Sequence, residues 1–215
     1  RMWNHSVLEG GWLQTTSERY DGLRRFLDWG KRSAVGYRRA GDVVAASVRE
    51  RAEQVFEAFD RSMRLGSEGA MTFLHGDPHS AGNFYVTRDG RMGWADWGVC
   101  LRGGWGYDYA YAVTSSLPVE RRREWEHALL EHYLEQLALA GGDAPDFDAA
   151  WLIYRQQALY PCVAWAAVYG HGRLQPDSQP PEYCLPIIAR ASHAVEDLDS
   201  VGAVRTPQPK AIRSR

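Results

Sequence analysis

Apolar residues recur every three or four positions over most of this chain, a spacing that predicts amphipathic helices. The clearest case covers residues 43–65, where Val55, Phe59 and Met63 fall on one face and Gly66 follows as a helix stop. The same pattern predicts helices over residues 18–30, 117–140, 146–170 and 186–198, with residues 31–42 as a basic loop between two of them.

Two details of these helices can also be predicted. Pro161 lies inside the run 146–170 and should kink it, because proline lacks a backbone donor and clashes with the preceding turn. In the run 117–140, the stripe predicted to be buried consists of Trp125, Leu129, Tyr133, Leu134 and Leu137.

Residues 71–98 depart from the helical pattern and are typical of short β-strands. Residues 71–74, 84–86 and 92–95 are brief and mostly apolar, and Gly90 supplies the positive φ that a hairpin turn between the last two needs. Residues 100–106 are glycine-rich and are predicted to be a flexible loop. The pattern therefore predicts a mostly helical α+β protein with a small β-hairpin.

Composition narrows the function classes without naming one. With 215 residues the chain can bury one good core, and its net charge of −2 gives no reason to expect binding to nucleic acid or an anionic membrane. No apolar run approaches the roughly 18 residues of a membrane span. Three widely spaced cysteines favour reduced thiols, so we expect a cytoplasmic protein.

The candidate chemistry is concentrated in the β-rich stretch. Asp77 and Asp96 each follow a predicted strand, and Asn83 lies between them. Mg-dependent phosphoryl transfer needs such a set, because one carboxylate orients the attacking hydroxyl while an amide and a second carboxylate hold Mg²⁺ against the nucleotide phosphates.

The motifs HGDPH at residues 75–79, with Asn83, and WADWG at residues 94–98 make a resemblance specific. They resemble the catalytic and metal loops of the aminoglycoside phosphotransferase, choline kinase and ecdysteroid-kinase-like families, which share the protein-kinase-like fold. The segment YDYAY at residues 107–111 extends the likeness. It implies that residues 1–202 form the large, C-terminal lobe of that fold. The basic, proline-containing composition of residues 203–215 predicts a disordered tail.

The resemblance also implies roles for single residues. Asp77 matches the catalytic aspartate, Asn83 and Asp96 match the Mg²⁺ ligands, and Asp108 matches an aspartate that braces the catalytic loop from the following helix. The implied cofactor is Mg²⁺, and ATP is the implied co-substrate.

The histidines of the motif carry a separate interpretation. His75 is expected to order the catalytic loop through hydrogen bonds, and His79 and Trp97 are candidates for lining a pocket. The alternation of His75, Asp77 and His79 could also suggest zinc, but no further set of strong ligands is visible in the sequence.

The sequence departs from the family pattern in two ways. Asn83 follows Asp77 by six residues where the family usually has five, so the loop must bulge or the amide is displaced. The small N-terminal lobe is also absent, because there is no G-x-G-x-x-G run and lysine occurs only at positions 31 and 210. Since Arg1 precedes Met2, we expect a fragment of a longer chain.

The function expected from these observations is ATP-dependent phosphotransfer to a hydroxyl of a small molecule. Activity would need the nucleotide-clamping lobe. The many aromatic residues in the helices after position 150 suggest a bulky, partly apolar acceptor if some of them face the catalytic loop. The alternative is a non-catalytic or repurposed kinase-like lobe that acts as a binding protein, because fold does not fix function.

Overall fold

The computed structural model describes residues 11–172 and 179–208. Helices dominate this part of the chain, and four three-residue strands form two small antiparallel sheets. The helices are α1 Thr16–Leu23, α2 Trp29–Ala40, α3 Ala46–Glu50, α4 Ala52–Leu65, α5 Gly106–Ser116, α6 Val119–Leu139, α7 Phe147–Gln157, α8 Leu159–Tyr169, α9 Pro181–Asp197 and α10 Ser200–Ala203. The strands are β1 Thr72–Leu74, β2 Phe84–Val86, β3 Met92–Trp94 and β4 Leu101–Gly103.

The first two helices do not lie where the sequence pattern placed them. A capping box formed by Thr15 and Glu18 starts α1. The side chain of Asp28 then caps the Lys31 N–H at 3.0 Å and starts α2. The predicted loop over residues 31–42 is therefore wrong, because most of it is helix α2.

Glycine explains why α2 resembled a loop in the sequence. A Cβ placed on Gly36 would lie 1.9 Å from the Ala166 carbonyl oxygen, and one on Gly170 would lie 1.9 Å from that of Arg32. Helices α2 and α8 therefore pack backbone to backbone at these two points. The glycines provide close approach between helices, not a break within one.

The predicted helix over residues 43–65 is confirmed in its second half and interrupted in its first. Arg51 adopts φ −115° and ψ 34° and separates α3 from α4. Phe59 and Met63 of α4 are fully buried in the main core. The break predicted at Pro161 falls at Ala158, one turn before the proline, where α7 ends and α8 begins.

Local turn chemistry placed the hairpin correctly. Strands β2 and β3 pair with Phe84 opposite Trp94, and Gly90 adopts φ +80° in the turn. The predicted loop over residues 100–106 is partly wrong, because β4 lies within it and pairs antiparallel with β1. This second sheet connects the stretch after the hairpin to the strand that leads into the HGDPH motif.

The far side of the molecule depends on a buried ion network. Arg122 of α6 is completely buried, donates to Glu126 at 2.7 Å and bonds to Asp197 of α9. Tyr154 of α7 donates to the same Glu126 carboxylate at 2.9 Å. The buried face of α6 consists of Arg122, Glu126 and Leu130 and is therefore partly ionic. The predicted stripe is wrong, since Trp125 is 42% exposed and the other four residues are only half-buried.

The chain remains packed against the folded body beyond residue 202, where the sequence predicted a disordered tail to begin. Ala203 and Val204 are buried, and Gln156 Nε2 donates to the carbonyls of Ala203 and Thr206 at 3.0 and 2.8 Å. Residues 203–208 therefore belong to the folded body, while residues 209–215 of the predicted tail lie outside the described residues. Across the described ranges, no helix is both long and apolar enough to span a bilayer.

Candidate active site

The carboxylate of Asp108 holds the start of the HGDPH loop. Its two oxygens accept the backbone N–H groups of His75 at 2.6 Å and Gly76 at 3.0 Å. Burial raises the pKa of Asp108 to about 6, although these two hydrogen bonds act to lower it. The predicted bracing position thus contacts the HGDPH loop directly, from the first turn of α5.

The ring of His75 connects the two predicted loops. The Asp77 N–H donates to His75 Nδ1 at 3.2 Å, so Nδ1 accepts and Nε2 carries the proton of the neutral ring. Nε2 in turn donates to the Ala95 carbonyl at 2.8 Å. With its ring also packed 4.6 Å from that of Trp97, His75 is buried and has a structural position.

Gly76 is required by the turn between His75 and Asp77. Its φ is +87°, and a Cβ at this position would lie 2.3 Å from the Val99 carbonyl oxygen. No L side chain fits there without moving the chain. The loop therefore passes under the segment that follows Asp96, which keeps the two motifs in contact.

The Asp77 carboxylate is the best-held polar group of the site. Oδ1 accepts the Tyr111 hydroxyl at 2.7 Å, while Oδ2 accepts Asn83 Nδ2 at 3.2 Å and lies 3.3 Å from His79 Nε2. Burial alone would raise the pKa of Asp77, but the hydrogen bonds from His79, Tyr111 and Asn83 outweigh it and hold the pKa below its ordinary value. The lowered pKa keeps the carboxyl group ionised, and the contacts hold its orientation. The side chain is 35% exposed, so a ligand can reach it.

Tyr111 was not predicted from the sequence. It lies one helical turn after Asp108, and its hydroxyl accepts the Trp165 indole N–H at 2.7 Å while donating to Asp77. The signal that could have identified it is the i, i+3 spacing from Asp108 on α5, which places both side chains towards the same loop.

The extra residue between Asp77 and Asn83 is absorbed in a turn. Residues 80–82 form this turn, and Gly82 adopts φ +119° in it. Asn83 is buried, and its Nδ2 donates to the Asp77 backbone carbonyl at 2.8 Å as well as to the carboxylate. The lengthened loop therefore still brings the amide back to Asp77.

Asp96 lies next to this arrangement on the second loop. Ala95, the residue before it, donates its N–H to the Asn83 carbonyl at 2.9 Å and accepts from His75. Asp96 itself has φ +57° and is exposed, and among the described residues its carboxylate makes only a 3.4 Å contact, from Oδ1 to the Gly98 N–H. Its carboxylate is thus available to a ligand in the same region as Asn83.

The predicted pocket residues differ in their surroundings. His79 is buried, accepts the Ala81 N–H on Nδ1 at 3.1 Å and presents Nε2 to Asp77, so it supports the carboxylate. Trp97 is 47% exposed and lines an aromatic cavity of about 350 Å³ behind β1. Because both ring nitrogens of His75 and of His79 have partners inside the protein, the alternating histidines do not form a zinc-ligand set.

A second cavity, of about 160 Å³, opens beside Gly76 and Asp77. Its walls come from α1, α2, α4, α5, α8 and the segment around β4. Among the aromatic residues after position 150 that were weighed as pocket residues, Tyr160 lines it, whereas Tyr154 and Trp165 are buried in the core. Asp77 therefore borders a small, partly enclosed space.

Comparison with known proteins agrees with the motifs. The family model described as the phosphotransferase enzyme family matches residues 11–152, about two thirds of the chain. No curated protein and no solved structure matches it. The matched region contains both motif loops, the hairpin and helix α5.

Proposed function

This chain belongs to the phosphotransferase enzyme family, and we propose that it transfers the γ-phosphoryl group of ATP to a hydroxyl of a small molecule. The observation that carries the proposal is the Asp77 carboxylate. It is kept ionised by hydrogen bonds from Tyr111, Asn83 and His79, and it borders a cavity large enough for a small acceptor. A carboxylate in this state can receive or orient the proton of an attacking hydroxyl.

The proposed reaction is an in-line displacement. The acceptor oxygen bonds to the γ-phosphorus as the bond from that phosphorus to the bridging oxygen breaks, and ADP leaves with the electron pair. The proton of the acceptor hydroxyl passes to Asp77, from where it returns to water. Asp108 and His75 contribute by fixing the backbone of the loop, so that Asp77 does not have to be reorganised when the acceptor binds.

The donor set suits Mg²⁺. Asn83 directs its NH₂ group to Asp77, and among the described residues nothing donates to its amide oxygen, which leaves that oxygen for a cation. Asp96 adds an exposed carboxylate nearby. Mg²⁺ prefers oxygen ligands and keeps several waters, so one amide and one carboxylate are enough; when bound, it would neutralise charge on the nucleotide phosphates.

Two substitutions in the full-length protein test the proposal. Asp96→Ala should weaken Mg-ATP binding by at least about tenfold in calorimetry, because one of few protein ligands is lost. Asp77→Asn should keep nucleotide affinity but lower phosphate transfer or slow ATP hydrolysis by about 10²- to 10⁴-fold, because the proton acceptor is gone. Asp143→Asn, an exposed carboxylate in the loop after α6, is the control and should change neither.

The two substitutions test the metal site and the catalytic residue separately. Unchanged Mg-ATP affinity in Asp96→Ala would remove this residue from the metal site. Full turnover in Asp77→Asn would overturn the catalytic assignment. A wild-type protein that binds no Mg-nucleotide would instead favour the alternative, a binding protein built on the same fold.

A further inference from the structure

The cavity beside Asp77 contains a cation without an ionic partner. Arg19 of α1 lines it, and within the described ranges its guanidinium forms no ion pair and no hydrogen bond. Arg19 lies close to Tyr160, another residue of the cavity wall. Burial raises the pKa of Tyr160, whereas the positive charge of Arg19 acts to lower it. A guanidinium in this position has its donors available for an anion.

A buried donor borders the same space. The indole N–H of Trp29 has no hydrogen-bond partner among the described residues, and the residue is only 8% exposed. Leaving such a donor unpaired is unfavourable, so native structures usually satisfy it with protein, water or ligand. Arg19 therefore brings N–H donors and one positive charge to a cavity that Asp77 also lines, and Trp29, with its unpartnered indole N–H, is part of the same wall.

We propose that this cavity binds the phosphoryl acceptor, and that the acceptor is a small hydroxy compound with an anionic group, such as a hydroxy carboxylic acid. The hydroxyl faces Asp77, and the anionic group faces Arg19 and Trp29. The inference rests on the proposed function, because it assigns an acceptor to the same catalytic residue. The transfer is the displacement described above, with the acceptor hydroxyl as nucleophile.

The position of the cavity favours the acceptor over the nucleotide as the source of the anion. The candidate Mg²⁺ ligands Asn83 and Asp96 do not line it. Most of its wall comes from the helices α1, α2, α4, α5 and α8, and Val99 and Leu101 complete it beside Gly76 and Asp77. Asp77 is the candidate site residue that both regions share, as expected for the group that meets the acceptor on one side and the phosphates on the other.

The charges in the cavity favour an anion over a neutral or cationic acceptor. A cationic acceptor would place its charge against Arg19. The volume of about 160 Å³ suits a molecule of roughly benzene size. The bulky acceptor suggested by the aromatic content of the helices remains a prediction, and it would have to extend out of this cavity.

Binding can be measured without turnover. The protein labelled with ¹⁵N on its tryptophan indoles is titrated with glycerate, glycerol and choline, which are similar in size and differ in charge. The Trp29 resonance is assigned from a Trp29→Phe variant. We expect glycerate to shift the Trp29 resonance saturably, glycerol to shift it weakly and choline not to shift it.

Substitution of the cation provides the second arm. Arg19→Gln should weaken glycerate binding by about ten- to a hundredfold, the range expected for losing a hydrogen bond between charged groups. It should leave Mg-ATP affinity unchanged. Arg25→Gln is the matched control, because Arg25 is exposed just after α1 and does not line the cavity.

The outcomes distinguish this inference from the proposed function. If glycerate and glycerol behave alike, or if Arg19→Gln has no more effect than Arg25→Gln, the anionic acceptor is wrong even when Mg-ATP is turned over. If Mg-ATP or inorganic phosphate alone moves the Trp29 resonance and Arg19→Gln weakens ATP binding, the cavity belongs to the nucleotide. Anion binding by a protein that never binds Mg-nucleotide would support the pocket and overturn the phosphotransferase assignment.

Discussion

Tyr111→Phe tests whether the hydroxyl of Tyr111 holds the Asp77 carboxylate. The substitution removes one oxygen and leaves the buried ring in place. Two hydrogen bonds are lost with it: the 2.7 Å bond donated to Asp77 Oδ1, and the 2.7 Å bond accepted from the Trp165 indole. Tyr109→Phe on the same helix is the matched control, because the Tyr109 hydroxyl is buried without a partner among the described residues.

The size of the effect follows from the surroundings of each lost bond. A hydrogen bond to a charged group contributes about 1.5–3 kcal/mol, but the Asp77 side chain is 35% exposed and water can partly replace the donor, so the lower end applies. The Trp165 indole is buried and loses its acceptor, which costs about 1 kcal/mol more. We expect Tyr111→Phe to destabilise the protein by about 2–3 kcal/mol, or about 4–12 °C in Tm.

The pH dependence identifies the carboxylate as the cause. The folded-state pKa of Asp77 is lowered, so its stabilising contribution is present above the unfolded pKa of about 3.9 and is lost as the pH falls through the folded value. Tyr111→Phe removes one of the bonds that lower this pKa. The stability difference between wild type and variant should therefore be largest near neutral pH and should narrow below about pH 4.

Urea unfolding at several pH values, followed by circular dichroism, measures both quantities. Tyr109→Phe should be neutral or stabilising, because no hydrogen bond is lost and a buried hydroxyl without a partner is removed. Equal effects of the two substitutions would refute the reasoning. So would a Tyr111→Phe deficit that stays constant from neutral pH to pH 3, since the loss would then not involve the charge of Asp77.

Two further predictions concern the scaffold around the site. Gly76→Ala should destabilise the protein by more than about 2 kcal/mol in thermal unfolding, because it adds both a positive-φ penalty and a backbone clash, whereas Gly22→Ala, which meets no atom within 4 Å in helix α1, should be neutral or stabilising. Arg122→Met should lower the free energy of unfolding in urea by about 3–5 kcal/mol, because it leaves buried Glu126 without its cation. The control Arg121→Met, which removes an exposed ion pair, should lower it by less than about 1 kcal/mol. Equal effects would show that the buried network is not required.

Parts of the fold that depend on neighbours in the sequence were predictable. The hairpin β2–β3 was correct because its turn needs a glycine at a fixed place, and Gly90 supplies it. The helix implied by the resemblance at Asp108 is confirmed as α5, in which this carboxylate lies in the first turn, where the helix dipole favours it. The helix break at Ala158 was anticipated from Pro161, since proline disturbs the turn before it.

Parts that depend on distant contacts were not predictable. Strand β4 has three residues, and its pairing with β1 decides its structure, so nothing local marks it. The buried face of α6 was missed because hydrophobic patterns cannot indicate a buried ion pair such as Arg122–Glu126. Helix α2 was mistaken for a loop because Gly36 serves contact with α8.

The candidate site shows the same division. Asp77, Asn83 and Asp96 could be proposed from motif spacing, and the structure brings the first two into hydrogen-bonding contact. Tyr111 was missed, because a tyrosine in a helix is ordinarily read as core; its i, i+3 spacing from Asp108 indicates the side of the helix, but only the folded structure shows its hydroxyl bonded to Asp77. Trp29 was missed for the same reason, since only its surroundings reveal an unpaired donor.

The hydrogen bonds also indicate which side chains of the candidate site are held in place before a ligand binds. Hydrogen bonds made by Asp108, His75 and Tyr111 hold Asp77 in position, and these bonds form within the protein without a ligand. Asp96 has no comparable restraint, since its carboxylate is exposed and makes one long contact. The proposed acceptor side of the site is therefore preorganised, whereas the Asp96 carboxylate on the proposed metal side is held by fewer contacts. Because preorganised groups lose little freedom on binding, acceptor affinity should depend only weakly on whether nucleotide is present.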